Sequence, residues 1–292
     1  MKRMLYFLAL LSILSFACSI SITPTPQLVT APPSTPQVIT APPPTLEMPT
    51  ATQPQPATLP PMTPESPTPQ TNVTCNEISL YLEALMGSGF NCETIPASTE
   101  GMEMHPQYTQ LTMNGYALAD KFFNPHISVY PIQEYTNLYP ENIPSAVADL
   151  QALIGGGASS EANLPFLPVF PAVQVFRAQY RVLPFMSGGG IRYLTLYAQY
   201  FAPVNNHDLF YTYQGLTSDG MYWVSAILPI NNPILPDNAD NPPGGMTWEE
   251  FSNSYEMYGA DITNQLDSQT SDSYMPTLAA LDALVASIVI FP

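Results

Sequence analysis

Apolar positions in the middle of this chain cluster into strand-length runs, densest between Val173 and Pro229, and the first of these alternates apolar and polar residues with a period of two. Four runs there, Val175–Phe185, Ile191–Phe201, Leu209–Thr217 and Met221–Leu228, are rich in β-branched and aromatic residues. Turn-forming segments join them: Ser187-Gly-Gly-Gly190, residues 202–208, and Ser218-Asp219-Gly220. Successive runs with such short joins predict an antiparallel meander. Along the first run Phe176, Ala178, Tyr180 and Val182 interleave with Val175, Arg177, Gln179 and Arg181, so one face is expected to look inward. Two shorter runs come earlier. Tyr108 to Met113 alternates and ends in Asn114-Gly115, a hairpin-type turn, and Ile127 to Ile132 reads as a strand.

Elsewhere the period is helical. Thr74-x-x-Glu77 has the form of a capping box ahead of Ile78, Leu82, Leu85 and Met86, predicting a short helix stopped by Gly87. Pro144 to Ile154 carries Ala146, Val147, Leu150 and Leu153 on one stripe and ends in Gly155-Gly156-Gly157. Thr247-x-x-Glu250 is a second capping box, starting a helix near Trp248 that is expected to break or end around Gly259; residues 263–273 are too polar to assign. Pro276 to Ile288 predicts a terminal helix with Leu278, Leu281, Leu284, Val285 and Ile288 on its apolar stripe. Helices before and after an antiparallel sheet give an α+β fold: a β-meander sheet with flanking helices packed on it.

The start of the chain follows neither period. Met1-Lys2-Arg3-Met4 is a basic start, and Leu5 to Ala17 is apolar except for two serines. That is the pattern of a secretory signal peptide over residues 1–17, too short for a hydrocarbon core of about 30 Å. Residues 18–71 then hold Pro and Thr in abundance, with only Glu47 and Glu65 charged. Such a stretch buries too little apolar surface to offset its ordering entropy and reads as a disordered tether. Gln27-Leu-Val-Thr-Ala-Pro-Pro33 echoes in Gln37-Val-Ile-Thr-Ala-Pro-Pro43, an expansion of low complexity rather than a solenoid. Fully extended as polyproline II it would reach on the order of 160 Å. Residues 72–292 are long enough for a single α+β domain with one sizeable core.

Leu14-Ser15-Phe16-Ala17-Cys18 resembles the lipobox of bacterial lipoproteins, in which a small residue precedes a cysteine that is lipidated and becomes the mature N-terminus. Ala17 and Cys18 match that pattern. Ser15 stands where leucine is usual, and Phe16 is bulkier than the usual residue. The resemblance implies lipidation at Cys18 and attachment to a membrane on its extracytoplasmic side. Ser15-x-Ala17 equally satisfies the small-x-small rule for ordinary cleavage, which would give a secreted protein. The long meander followed by Leu281-Asp282-x-Leu-Val-x-Ser287-Ile288 resembles the PsbP/Mog1-like sandwich in element order. That resemblance implies an accessory or binding role, and it supplies no functional residue.

Charge narrows the partners. Removal of Lys2 and Arg3 with the signal leaves Lys121, Arg177, Arg181 and Arg192 against 23 acidic residues. A nucleic-acid partner needs basic phosphate contacts and is excluded. An anionic membrane surface would repel the domain, so membrane attachment must come through the lipid. If Cys18 carries lipid, Cys75 and Cys92 remain as an even pair in an oxidising compartment. A disulfide between them closes a loop of about seventeen residues, worth roughly 3 kcal/mol in the chain-entropy model. Two free thiols or a metal pair are the rival readings, the latter disfavoured by spacing and by the lack of a nearby histidine.

No stretch carries a catalytic or cofactor motif. Neither glycine run has a phosphate-loop form, no GxSxG elbow is present, and His105, His126 and His207 lie far apart. No cofactor is therefore expected. His207-Asp208 sits in a connection expected to be a solvated turn, and Asp237-Asn-Ala-Asp240-Asn241 offers oxygen ligands outside the EF-hand register. Two features could recognise something. Arg177, Arg181 and Arg192 fall on one expected hairpin and could capture a carboxylate or phosphate, or pair with local acids. Tyrosines and Trp223 crowd the sheet, and a run such as Phe210-Tyr-Thr-Tyr213 must place rings on both faces. The expectation is a lipid-anchored envelope protein with a non-catalytic domain for a small-molecule or protein partner. The alternative is an exported hydrolase using carboxylates. An open aromatic or arginine-bearing face would favour binding, and a carboxylate-lined pocket would favour the enzyme.

Overall fold

Two antiparallel meanders, one from each half of the folded region, join side by side into a single seven-stranded sheet. A computed structural model describes residues 71–101, 103–158 and 164–291. The signal segment, Cys18 and the tether lie outside the described residues. The first half contributes a small hairpin, β1 (Val73–Cys75) and β2 (Ile78–Leu80), then β3 (Gly89–Ile95), β4 (Tyr108–Asn114) and β5 (His126–Pro131). Helices α1 (Ile132–Leu138) and α2 (Asn142–Ile154) follow. The second half holds β6 (Val173–Gln174), β7 (Ala178–Phe185), β8 (Gly188–Thr195), β9 (Tyr197–Ala198), β10 (Phe210–Thr217) and β11 (Tyr222–Pro229). It ends with α3 (Trp248–Asn253), α4 (Tyr255–Asp267), α5 (Leu278–Ala286) and β12 (Val289–Ile290).

The large sheet runs β3-β4-β5-β11-β10-β8-β7, with the two meanders meeting at the β5–β11 seam. Because side chains alternate across a strand, the central strands feed two cores, while the edge strands β3 and β7 are largely exposed. Leu111, Ile127, Leu194, Tyr211, Tyr213, Val224 and Ala226 pack on one face with Leu281, Leu284 and Val285 of α5 and Leu266 of α4. Tyr130, Ile191, Tyr193, Leu216 and Trp223 pack on the other with Tyr135 of α1 and Leu150 of α2. The fold is therefore α+β, with helices on both faces of the sheet rather than one. That settles the rings of the central strands. Tyr193, Tyr211, Tyr213 and Trp223 are all core, each fully buried.

The second core is wired by polar groups. Residues 164–169 cross it without regular structure, so their backbone needs partners from side chains. Gln214 Oε1 accepts from Leu167 N at 3.0 Å and from Trp223 Nε1 at 2.7 Å. The Ser225 hydroxyl donates to the Leu167 carbonyl at 2.6 Å, and the Tyr193 hydroxyl to that of Pro165 at 3.0 Å.

Four expectations need correction. The helix over 78–86 is absent; residues 78–80 are the second strand of the β1–β2 hairpin, and residues 81–86 form an irregular turn. Asn76 turns the hairpin with φ 50°, a left-handed value Asn tolerates, and Thr74 Oγ1 bonds across to Ser79 Oγ at 2.9 Å instead of capping. The deciding contact is remote: β12 pairs with β2, Ile290 opposite Ile78. Second, Gly188-Gly189-Gly190 is strand rather than turn, paired on both sides with β10 and β7, and Gly190 is glycine because a Cβ there would sit 2.6 Å from Tyr213 Cζ. Third, the α3 helix ends at Ser254, not Gly259, and α4 continues through Gly259 to Asp267. Fourth, the alternation in β7 is broken by a bulge at Gln179, φ 55°, which brings Arg181 directly opposite Arg192. The second capping box does form: Thr247 Oγ1 accepts from Glu250 N at 3.2 Å, and Glu250 Oε2 accepts from Thr247 N at 2.8 Å.

Cys75 and Cys92 form a disulfide with Cα atoms 5.8 Å apart. It ties the small hairpin to β3, the edge strand of the large sheet.

Candidate functional site

The three arginines do not form one patch. Arg192, only 4% exposed, holds Asp282 of α5 in a two-pronged ion pair, Nε–Oδ1 and Nη2–Oδ2 each at 3.2 Å. Its Nη1 donates to the Gln179 carbonyl. Arg181 reaches the same carboxylate at 3.9 Å from an exposed position, and the Tyr211 hydroxyl donates to it at 3.1 Å. Arg177 lies apart from this cluster, lining a groove with Tyr180, Thr263 and Asp267. A soluble anion would have to displace Asp282 to reach Arg192.

The His207–Asp208 pair falls in a turn, with Nδ1 2.6 Å from Oδ1 and the imidazole half exposed. Asn238 Oδ1 accepts from Asp240 N at 3.2 Å, a side-chain turn inside the acidic loop. Among the described residues no group of three or more His, Cys, Asp or Glu is arranged to hold a metal, and no helix is long and apolar enough to cross a membrane.

An open aromatic groove of about 330 Å³ lies beside the small β6–β9 ribbon. Its walls are Phe170 and Tyr197, with Phe122 and Tyr200 at the rim and Gln199 and Asp208 supplying polar atoms. Local structure explains how the rings come together. The ribbon pairs Gln174 with Tyr197, setting residues 170–172 alongside residues 197–199. Gln199 Nε2 closes that join by donating to the Pro171 carbonyl at 2.7 Å. The Phe122 backbone N–H donates to the His207 carbonyl at 3.1 Å, which brings the loop before β5 to the groove.

Behind the walls the rings are packed continuously. Phe123 contacts Phe170 and Phe210 at centroid distances of 5.7 and 5.0 Å, and Phe166 contacts Tyr197 at 4.7 Å. Phe170 and Tyr197 stand 5.9 Å apart at 88°. Desolvation pushes the Tyr197 phenol far above its ordinary range, so the ring is neutral. Phe122 and Tyr200 are 54% and 59% exposed, a large share for such rings. Asp208 is held in place by two contacts, His207 on Oδ1 and Asn205 Nδ2 on Oδ2 at 2.9 Å. Tyr200 stood among the sheet tyrosines in the sequence, but nothing local joined it to Phe122 or Phe170; that grouping comes from the ribbon.

A larger cleft of about 750 Å³ runs between Leu85, Met86, Met275 and Pro276. Its amides are already engaged. Asn206 Nδ2 donates to the carbonyls of Asn232 and Leu235, both at 3.1 Å, and Lys121 Nζ donates to Asn231 Oδ1 at 2.7 Å. A third groove, about 450 Å³, contains the carboxylates of Glu77 and Glu134. No family model, curated protein or solved structure matches this chain.

Proposed function

We propose that this is an exported protein, anchored through a lipid on Cys18, whose domain over residues 72–292 is a non-catalytic binding module of the cell envelope. The observation that carries the binding reading is the open groove in which Phe122, Phe170, Tyr197 and Tyr200 converge with one carboxylate. Exposed rings at a groove are hydrophobic area that folding left unburied, and such area is the ordinary mark of a recognition site. Export is supported by the residue pattern of 1–18 and by the Cys75–Cys92 disulfide, a bond that persists in oxidising compartments.

Anchoring and binding are tested separately. Metabolic labelling with a fatty-acid analogue should tag the wild type, and Cys18→Ala should abolish the tag; an unlabelled, freely released wild type would replace anchoring with secretion. The double variant Phe122→Ala/Tyr200→Ala should lose retention on native envelope material while keeping the wild-type melting curve. The groove holding Glu77 and Glu134 favours a second reading, a carboxylate-based hydrolase. Turnover of envelope glycan by the wild type, lost in Glu77→Gln or Glu134→Gln, would select it.

A further inference from the structure

Building on the reading of the aromatic groove as a ligand site, we infer that its occupant is an organic cation of the quaternary-ammonium class. The shape of the walls is the first argument. Phe170 and Tyr197 meet at 88°, forming a corner, and Phe122 and Tyr200 close the rim. Phe170 and Tyr197 are packed edge to face, and the half-exposed rings of Phe122 and Tyr200 leave aromatic surface free for a rounded methylated ammonium, which aromatic faces attract through their quadrupole. A sugar ring, flat and rimmed with hydroxyls, is served by one broad platform and free hydrogen-bonding groups.

The second argument is the state of the polar atoms. Each Asp208 oxygen already has a partner, His207 on one and Asn205 on the other. Gln199 has its amide nitrogen on the Pro171 carbonyl. A ligand that must make several hydrogen bonds meets few polar side chains here, and both Asp208 and Gln199 are already tied to the protein. A quaternary ammonium has no N–H and needs none of them; it needs negative charge nearby, and the Asp208 carboxylate supplies it. Lys121 directs its ammonium to the Asn206 carbonyl and Asn231 Oδ1, both at 2.7 Å, and its charge is shared between Asp237 and Asp208, which offsets part of the Asp208 charge.

The third argument is the field of the whole chain. Six basic residues against 23 acidic ones draw cations toward any groove and repel phosphates, sulfates and carboxylates. The groove volume of about 330 Å³ is at the small end of ligand sites, roughly 300–1,000 Å³, and suits a head group better than an oligosaccharide.

Calorimetric titration of the full-length chain with choline tests the inference. The control is its neutral carbon isostere, in which a tert-butyl group replaces the trimethylammonium. Choline should bind about tenfold or more tightly than the isostere, and added salt should weaken choline alone. Phe122→Ala and Tyr200→Ala should each weaken choline about two- to fivefold with an unchanged melting temperature, since both rings are exposed. Asp208→Asn should weaken choline and leave the isostere unaffected. Equal binding of choline and isostere, or no choline binding, overturns the inference. Choline binding that survives both ring variants overturns it too, by placing the site elsewhere. If choline fails while a neutral envelope oligosaccharide binds wild type but not Phe122→Ala, the cation assignment falls and the binding module stands.

Discussion

Arg192 of β8 and Asp282 of α5 grip each other with both prongs at 3.2 Å across the interface of sheet and helix. The Tyr211 hydroxyl completes the carboxylate's shell at 3.1 Å. The bulge at Gln179 puts Arg181 directly opposite Arg192, and like charges so placed would repel. Asp282 accepts both. Breaking a buried pair leaves an uncompensated charge, so Arg192→Ala or Asp282→Ala should cost about 3–5 kcal/mol. Arg181→Ala, at an exposed end, should cost under about 1 kcal/mol. The joint replacement Arg192→Met/Asp282→Leu should recover most of the single-variant loss. Urea midpoints of the four variants check this; equal losses for Arg181→Ala and Arg192→Ala would contradict it.

The Cys75–Cys92 disulfide acts at the edge of the fold. It fastens a hairpin whose strands are three residues long to the edge of the large sheet. Such a hairpin is marginal alone and otherwise depends on its pairing with β12. Cys75→Ser/Cys92→Ser should lower stability by about 2–4 kcal/mol and leave the seven-stranded sheet intact. Hydrogen exchange should then show early opening of residues 73–80 and 289–290, with β10 and β11 still protected. Non-reducing peptide mapping of native protein must recover the Cys75–Cys92 link.

Two glycines should respond in opposite directions to the same substitution. Gly190 faces the ring of Tyr213, where an added Cβ would lie 2.6 Å from Cζ and press on the Gln214 carbonyl. Gly190→Ala should cost about 1–3 kcal/mol by overpacking. Gly259 lies inside α4 with nothing within 4 Å of an added Cβ. Gly259→Ala should stabilise by about 0.4–1 kcal/mol. Melting temperatures of the pair decide the point, and a destabilised Gly259→Ala would show that α4 needs its glycine.

The legible parts of this fold are those whose signal is local. β7, β8, β10 and β11 were legible as runs of β-branched and aromatic residues, near-continuous in β10 and β11 because both of their faces are buried, and the Thr247 capping box marked α3 within one residue of its start. The hairpin at 73–80 was misread because its decisive partner, β12, is at the far end of the chain. Nothing near Gln179 announces its bulge. It is held at the end of α4, where the carbonyls of Leu266 and of Gln269 just beyond the helix accept from its side-chain amide at 2.8 and 3.1 Å. The aromatic groove was illegible for the same reason: Phe122, Phe170 and Tyr197 come from three separate segments, two of them joined by the β6–β9 ribbon and the third by the bond from Phe122 N–H to the His207 carbonyl.

His126 ties stability to mild acid. Its ring is half-buried at the start of β5, with Nδ1 2.7 Å from the Asn124 carbonyl. Desolvation lowers its pKa below the ordinary value of 6.5, and the Asn124 hydrogen bond opposes that shift only in part. The unfolded chain, with an ordinary imidazole, therefore binds a proton at a pH where the folded chain does not. Stability rises with pH wherever the unfolded state carries more protons. The His126 contribution is thus fully present above the unfolded pKa and is lost as pH falls below about 6.5 toward the folded value. One proton limits the slope to about 1.4 kcal/mol per pH unit. Urea midpoints measured from pH 7.5 down to about 5 should fall for the wild type more steeply than for His126→Asn, which cannot titrate. Because the carboxylates are common to both chains, the difference between the curves isolates the imidazole. Parallel curves across that range would show that His126 takes up its proton as readily in the fold as outside it.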